Sequence, residues 1–459
     1  MGYKILLVGT GLTSSFTGAL IRKYCPTPFK LIAWDKARGT GGRMSTSRHA
    51  ESNSSADLGA QYITGLPENL KKHKDFYNSL INLHLIEPLS ANVVGMREYP
   101  EGTQHFVIPD GSSSIIKHFL TNFDKVQFEH HVTSITEENN KWLVSTQNGH
   151  KETFDIVILT MPAPQILQLS GSVREKIKED PSVENGLKSV KYSSRYALCL
   201  FYNAKVEIDE PWDVKYIYDD EIFRYVAIDN KKRNKADSPP AIVLHTTITY
   251  GEENVERNIS DVQSDLLAHV KKVFPGWPEP DFVKCQKWRY SQVVTPYPGN
   301  PGFIIVQQDP LLIACGDGFT RSTVDGCVVS AEKVANFINT IKDIGKLAFD
   351  GNLPYRLQVL TITQLIITDP HTHRKSSWEP DGKAIYQDDE EAAIHVLPTA
   401  ASAENPDNTS PVDANSQPGP FMELQVDLSM EQQPGPSTAP SSAPLTFTWP
   451  CDKKKRGKD

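Results

Sequence analysis

The clearest pattern in the chain is a short apolar run followed at once by glycines. Lys4-Ile5-Leu6-Leu7-Val8 has the continuous apolar character of a buried strand, and Gly9 and Gly11 come directly after it. A helix-compatible apolar run and a second apolar strand follow, and this strand ends on Asp35. A strand, a glycine turn, a helix and a strand ending on an acid predict a βαβ unit that binds a dinucleotide.

Each part of this unit has a physical role. Gly9 and Gly11 allow the backbone to turn tightly and approach a pyrophosphate, and Thr13 lies at this turn. The helix start offers unpaired N–H groups and a positive dipole end to the anion, and Asp35 can accept hydrogen bonds from a ribose. The motif is incomplete, because Ser14 stands at the position of a third glycine. A glycine turn without a ligand is therefore the alternative interpretation.

A second glycine-rich loop, residues 39–44, lies shortly after the first unit and contains Gly42 and Arg43. A nicotinamide-binding domain does not need such a loop, whereas a longer cofactor does. The planar guanidinium of Arg43 can pair with a phosphate. A late apolar strand over residues 311–315 leads into Asp317 and a further helix. This second element, a strand followed by glycines and an acid, predicts a contact to the ribityl or phosphate part of the ligand.

Alternating apolar and polar positions in the middle of the chain predict an antiparallel sheet. Its strands are expected over residues 196–202, 223–228 and 241–247, followed by a helix over 260–273. The earlier pattern predicts a helix over 112–119, one strand over 126–132, a hairpin around 142–144 and a strand over 154–160. His130 and His131 would lie on opposite faces of the strand at 126–132, so one of them is expected to be buried.

These elements predict an α/β fold with a discontinuous Rossmann-like nucleotide domain and a substrate domain built on the antiparallel sheet and helices. The nucleotide domain is expected over residues 1–75, 105–165 and 300–341, and the substrate domain over 76–104 and 166–299. Residues 342–459 have a composition typical of a low-complexity, largely disordered tail. Its basic run at 453–456 could be a nuclear localisation signal or an acidic-surface contact, but we favour a solvated tail.

Composition narrows the possible partners. The 459 residues suffice for two or three domains, and the net charge of -8 argues against nucleic acid. No apolar run reaches the length of a membrane-spanning helix, so no membrane insertion is expected. The N-terminal apolar run is too short for a cleaved signal peptide, and the cysteine pattern favours a reduced, cytoplasmic setting. The six cysteines show no zinc or redox spacing, no metal site is expected, and most cysteines fit small buried side chains.

Many segments, in order from residue 1 to about residue 341, resemble the FAD-binding framework of the amine-oxidase-like flavoproteins and, within it, the renalase family. The segments that carry this resemblance are VGTGLT, WDKARGTGGRMST, ADLGAQYIT, SSIIKHFL, FDIVILTMPAPQILQL, YSSRYALCLFY, IDNKKRN, HTT, CQKWRYSQV and GDGFTRSTVDGC. The resemblance implies FAD as the cofactor, with the antiparallel sheet as a roof over the flavin ring. It implies that Gln61 and Tyr62 line the ring and that the backbone of 128–132 supports the adenine. For Tyr62, an ordinary core aromatic is the alternative.

The resemblance also implies a reaction. The substrates would be isomeric dihydronicotinamide dinucleotides, the 2- and 6-dihydro forms of NAD(P)H, oxidised to β-NAD(P)+ while O2 is reduced to hydrogen peroxide. Loss of hydride from such a ring gives an aromatic pyridinium directly, so no general base is required, and the sequence offers no evident catalytic triad.

Three residues are candidate substrate contacts: His245 on a roof strand, and the adjacent Trp288 and Arg289. The alternatives are a structural histidine and a packed tryptophan beside a surface arginine. Two other functions stay open. A catecholamine or other amine oxidase would share the framework, although its aromatic cage and lysine near the flavin are not identifiable. A secreted, non-enzymatic ligand of a cell-surface receptor is the second, because the resemblance leaves an extracellular location open.

Overall fold

The computed structural model describes residues 3–25 and 29–348. The predicted βαβ unit consists of β1 (Lys4–Val8), α1 (Leu12–Tyr24) and β2 (Lys30–Trp34). It lies at the centre of a six-stranded sheet with the strand order β21-β22-β13-β1-β2-β9. The other strands of this sheet are β9 (Lys125–Gln127), β13 (Ile156–Leu159), β21 (Phe303–Gln307) and β22 (Leu311–Cys315).

All pairs in this sheet are parallel except β21 with β22. The chain leaves β1 toward β2 on one side, and β13 lies on its other side. This reversal creates a crevice at the carboxyl ends of β1 and β13, which is where open α/β sheets bind their ligands. The sheet thus confirms the predicted Rossmann-like class and locates its ligand crevice.

Both faces of this sheet are covered. On one face α1 packs with α4 (Ser113–Leu120) and α11 (Val324–Ala348), and Phe16 and Phe119 lie in the shared core. The other face carries a small antiparallel sheet and three helices around the buried Trp142. These elements are β10 (Val132–Glu138), β11 (Lys141–Thr146), β12 (Lys151–Phe154), α5 (Ala163–Ile166), α6 (Ser172–Glu179) and α7 (Pro181–Ser189).

A second six-stranded sheet, with the order β19-β15-β18-β17-β16-β7, corresponds to the predicted antiparallel sheet and is called the roof below. It is antiparallel except for the pair of β16 with β7. Larger side chains such as Leu198 face α10, whereas small ones such as Ala197 and Cys199 face the nucleotide domain. The elements are β7 (Val93–Val94), β15 (Arg195–Phe201), β16 (Val214–Tyr216), β17 (Phe223–Ile228), α8 (Asp229–Lys232), β18 (Ala241–Thr246), α9 (Ile248–Asn254), α10 (Ile259–Val273) and β19 (Phe282–Trp288).

Short strands and helices connect the two units. They are β3 (Thr46–His49), β4 (Ser54–Asp57), β5 (Ile63–Gly65), α2 (Pro67–Lys72), α3 (Lys74–Asn82), β6 (Glu87–Pro88), β8 (Gln104–Val107), β14 (Lys191–Tyr192) and β20 (Val293–Thr295), with 3-10 turns at Gly42–Met44 and Asp317–Phe319. Cys199, Cys285 and Cys315 are buried free thiols. None of the described helices is long and apolar enough to cross a membrane.

The single strand predicted over residues 126–132 is wrong. β9 ends at Gln127, and a turn through Glu129, with φ of +58°, separates it from β10. The turn is held against the end of β2, because the backbone N–H of His130 donates to the Asp35 carbonyl oxygen. His130 is therefore half-buried and His131 is exposed, and neither has the buried position expected for one of them.

Three helices that the predicted boundaries place in the substrate domain pack against the parallel sheet. Phe76 and Leu80 of α3 lie in the same core as α1, and Val173 and Leu187 of α6 and α7 lie in the core on the other face of the parallel sheet. These helices pack with the nucleotide domain, although the sequence assigned them to the substrate domain. The last helix continues to Ala348, past the boundary expected at residue 341. The rest of the predicted tail, with its basic run, lies outside the described residues.

Candidate cofactor and substrate site

A cavity of about 550 Å³ lies at the carboxyl ends of β1, β2 and β13, below β19. Both glycine loops line it, together with side chains of the nucleotide domain and of β19. The structure therefore brings most of the sequence-predicted site residues to one place. Those that line the cavity are Gly9, Gly11, Thr13, Asp35, Gly42, Arg43, Asp317 and Trp288.

Two glycines of the first loop have different roles. Gly9 has φ of +110°, and a Cβ there would lie 2.6 Å from Oγ1 of Thr160 at the end of β13. This position needs glycine for the backbone turn and for close packing of the two strands. A Cβ on Gly11 would meet nothing within 4 Å, and no side chain caps the start of α1. The backbone N–H groups of the first turn thus border open cavity, the arrangement that binds phosphate.

Ser14 occupies the position of the third glycine and lines the same cavity. It is fully buried, and its hydroxyl has no hydrogen-bond partner in the structure. Buried hydroxyls almost always have a partner, so an unpaired one on a cavity wall indicates that a ligand supplies it.

Asp35 organises the first loop. One carboxylate oxygen accepts hydrogen bonds from the backbone N–H of Thr10 at 2.7 Å and from its hydroxyl at 2.6 Å. The other accepts from the N–H of Ala37 at 2.8 Å. Because each carboxylate oxygen can accept two bonds, the second oxygen retains capacity for a ribose hydroxyl. The sequence did not identify Thr10 as the residue that orients this acid.

The second loop lies directly on the first. The N–H of Gly41 donates to the carbonyl oxygen of Thr10 at 3.1 Å, and a Cβ on Gly42 would lie 4.0 Å from Cα of Gly11. Arg43 then donates to Asp317 at 2.5 Å, and both side chains are largely buried. This ion pair joins the second loop to the element after β22, although about 270 residues separate the partners.

Gln61 and Tyr62 lie behind the cavity wall, which is instead formed by Leu58 and Ala60. The Gln61 amide donates to the carbonyl oxygen of Gly59 at 2.8 Å and also bonds the Asp57 carbonyl. The phenol of Tyr62 shares a short hydrogen bond with that of Tyr216. Through these hydrogen bonds, Gln61 holds the backbone on both sides of Leu58 and so positions the cavity wall.

The carbonyl oxygen of Leu58 accepts two hydrogen bonds from the roof. Trp288 donates its indole N–H at 3.1 Å, and His245 approaches with Nε2 at 3.0 Å. Because a carbonyl can only accept, the Nε2 atom of His245 carries the proton. Burial lowers the pKa of His245 to about 3, so this ring is neutral at ordinary pH. His245 does not line the cavity.

Strand alternation separates Trp288 from Arg289. Successive side chains point to opposite sides of an extended backbone, and Trp288 faces the cavity. Arg289 pairs with Glu256 through both terminal nitrogens, at 2.5 and 2.9 Å, and does not line the cavity. The residues that share the cavity face with Trp288 are Lys284 and Gln286. Neither was predicted from the sequence, although a period of two counted back from Trp288 leads to them.

A fully buried charge cluster ties the roof to the cavity wall. Lys232 donates to Asp229 at 2.6 Å and to Oε1 of Gln61 at 2.7 Å, and Arg233 also pairs with Asp229. Burial acts to raise the pKa of Asp229, but Arg233 and Lys232 outweigh it and hold the pKa below its usual range. Burial raises the pKa of the neighbouring Asp57. Among the described residues, no group of three or more His, Cys, Asp or Glu side chains could hold a metal ion.

The comparisons with known proteins agree with this geometry. Residues 92–339 match the family described as flavin containing amine oxidoreductase, and residues 7–80 match the NAD(P)-binding Rossmann-like domain. The fold and site thus define a flavin-dependent oxidoreductase. The chain is also 42% identical over 335 residues to renalase of Mus musculus, across 72% of this chain and 97% of that protein. The chain belongs to the renalase family, as its motifs predict.

A solved structure supports the fold. A protein described as a protoporphyrinogen oxidase from Exiguobacterium sp. matches with a TM-score of 0.57, over 74% of this chain and 99% of that chain. Its sequence identity is 12%, so the likeness bears on the fold alone.

Proposed function

We propose that this protein binds FAD and oxidises isomeric dihydronicotinamide dinucleotides, the 2- and 6-dihydro forms of NAD(P)H, with O2 as the acceptor. The family supports a flavin oxidoreductase. The finer assignment rests on the cavity, above all on the side chains that β19 presents to it.

The cavity residues fit a flavin dinucleotide. The open space at Gly11 and the uncapped start of α1 suit the pyrophosphate, and Asp35 suits the adenosine ribose. Arg43 and Asp317 are proposed for the phosphate and ribityl region, and Ser14, whose hydroxyl is unpaired, lines the same cavity. The second glycine loop lines this cavity, as the first does, and so can contact the same ligand.

The wall formed by β19 is the observation that carries the substrate assignment. It presents an ammonium, an amide and an indole, from Lys284, Gln286 and Trp288. The bound flavin would accept the hydride and return two electrons to oxygen. Hydride loss from a dihydropyridine needs no proton abstraction, and this wall offers the indole as a flat surface and the amide as a hydrogen-bonding partner. His245 behind it is neutral and bonded to Leu58.

Lys284 is a lysine on the cavity wall, a feature that an amine oxidase would share, but Trp288 is the one aromatic side chain that β19 presents to the cavity, so this strand forms no aromatic cage for an amine. Amines are largely protonated near neutral pH, and the ammonium of Lys284 would repel a second cation in this partly enclosed space. A dinucleotide carries phosphates and is attracted by the same charge. Amine oxidation is therefore the alternative that the experiment below must exclude.

The test is the visible spectrum of the purified protein under anaerobic conditions. We expect a flavin spectrum that bleaches on addition of 6-dihydro-NAD and recovers with stoichiometric peroxide when air is admitted. A catecholamine added in parallel is expected to leave the flavin oxidised. Bleaching by the amine alone would replace the proposed substrate with amines, and purified protein that retains no FAD would refute the cofactor assignment.

A further inference from the structure

Lys284 is a half-buried cation on the cavity wall. Its ammonium donates to the hydroxyl of Ser47 at 2.9 Å, and it takes part in none of the salt bridges among the described residues. Lys232, in contrast, is buried and paired with Asp229. Burying a charge without a counter-charge is costly, so a bound anion would compensate Lys284.

The surroundings of Lys284 are electropositive. Burial lowers the pKa of Lys284, Cys199 acts to raise it, and the nearby Arg38 lowers it further. Four cationic and two anionic side chains line the cavity, in a protein whose net charge is -8: Lys36, Arg38, Arg43 and Lys284 against Asp35 and Asp317. Both carboxylates already accept hydrogen bonds within the protein. The cavity thus attracts anions.

The position of Lys284 along β19 separates it from the indole. Lys284, Gln286 and Trp288 lie on one face of the strand at a spacing of two residues, so the Cα atoms of Lys284 and Trp288 are about 13 Å apart along the strand. A pyridine nucleotide carries its phosphates one ribose away from its ring. A ligand whose ring lies at Trp288 would therefore direct its phosphates toward Lys284.

We infer that Lys284 binds the phosphate groups of the substrate dinucleotide and selects it over dihydronicotinamides without phosphate. This inference rests on the proposed function and assigns its specificity to one residue. Lys284 uses one of its three N–H donors for Ser47, which leaves donors for phosphate oxygens.

The experiment compares the flavin-loaded wild type with Lys284→Gln and Lys284→Arg. Lys287→Gln is the matched control, because Lys287 lies on the opposite face of β19 and donates to backbone carbonyls of Val255 and Arg257. Anaerobic stopped-flow reduction is measured with 6-dihydro-NAD and with the phosphate-free 6-dihydronicotinamide riboside. Calorimetry measures the binding of ADP-ribose, which carries the pyrophosphate but no nicotinamide.

We expect Lys284→Gln to lower the preference for the dinucleotide over the riboside about ten-fold or more, through the dissociation constant. The affinity of Lys284→Gln for ADP-ribose should fall by a similar factor, and this binding should lose part of its salt dependence. Lys284→Arg should restore most of the preference and most of the affinity. Lys287→Gln should change neither the preference nor the affinity. If Lys284→Gln keeps the wild-type preference and ADP-ribose affinity, or loses only FAD, the inference is overturned.

The two proposals fail in different ways. If neither dihydronicotinamide reduces the wild-type flavin, the proposed substrate is wrong. In that case loss of ADP-ribose binding in Lys284→Gln would still support an anion site at Lys284, and unchanged binding would refute it.

Discussion

The buried ion pair of Lys232 with Asp229 allows a quantitative prediction. Replacing Lys232 with methionine keeps most of the side-chain volume but removes one of two cations bonded to a fully buried carboxylate. Breaking a buried pair by removing one partner typically costs about 3–5 kcal/mol. Arg233 still pairs with Asp229, which favours the lower part of this range. Oε1 of Gln61 loses its donor, however, which adds about 1 kcal/mol or more.

We therefore expect Lys232→Met to lower the free energy of unfolding by about 4 kcal/mol, a large fraction of the 5–15 kcal/mol typical of domains. The melting temperature should fall by roughly 10 °C. Guanidinium unfolding followed by tryptophan fluorescence, together with a thermal melt, measures both quantities.

Lys235→Met is the matched control on the same connection. Lys235 pairs with Asp110 on the surface, where the two side chains are 41% and 75% exposed. Exposed pairs contribute about 0.2–1 kcal/mol, so this variant should lie close to the wild type. If the two variants unfold at the same denaturant concentration, the buried cluster does not stabilise the fold and the reasoning is refuted.

Three further predictions concern the cavity and its roof. Gly9→Ala should lower the melting temperature, because its Cβ would clash with Thr160. Gly11→Ala should chiefly lower FAD retention, measured as the ratio of absorbance at the flavin band to that at the protein band. Equal melting temperatures of the two variants would contradict this expectation. Arg43→Ala should reduce FAD retention at least ten-fold, and Arg43→Lys should have an intermediate effect. Full FAD retention by Arg43→Ala would show that Arg43 does not bind the cofactor. The pKa of His245 is depressed to about 3, so the unfolded chain binds an extra proton below pH 6.5, and stability falls as the pH drops from 6.5 to 3, by up to about 1.4 kcal/mol per pH unit. His245→Gln should flatten this slope in urea melts, and an unchanged slope would contradict the assignment.

Prediction from the sequence was most accurate where neighbours along the chain are also neighbours in space. The first βαβ unit and the strand leading into Asp317 have their predicted form, because each is a strand, a turn and a helix in direct succession. It was less successful where a segment is held by distant contacts. The strand predicted over residues 126–132 is broken at Glu129, since the turn bonds to the end of β2. The helices α3, α6 and α7 pack on the nucleotide domain through apolar faces whose partner no local pattern reveals.

The candidate site shows the same division. Alternation along β19 already implies that Trp288 and Arg289 point to opposite sides, yet only the pairing with β15 and the packing on Leu58 decide which side faces the cavity. Lys284 and Gln286 were identified as lining residues only because this packing turns their face of β19 toward the cavity. His245, expected on the roof strand, is on it but bonds to Leu58 and does not line the cavity.

By itself, the sequence determined the Rossmann-like class, the glycine loops and the acids that border the ligand crevice, and the membership of a flavoprotein family. These features depend on backbone geometry and charge within short segments. The tertiary structure decided which side chains meet: Arg43 with Asp317, Lys232 with Gln61, and the β19 face with the glycine loops. Such contacts join residues far apart in the chain, and their geometry is set by how sheets and helices pack, which no local pattern encodes.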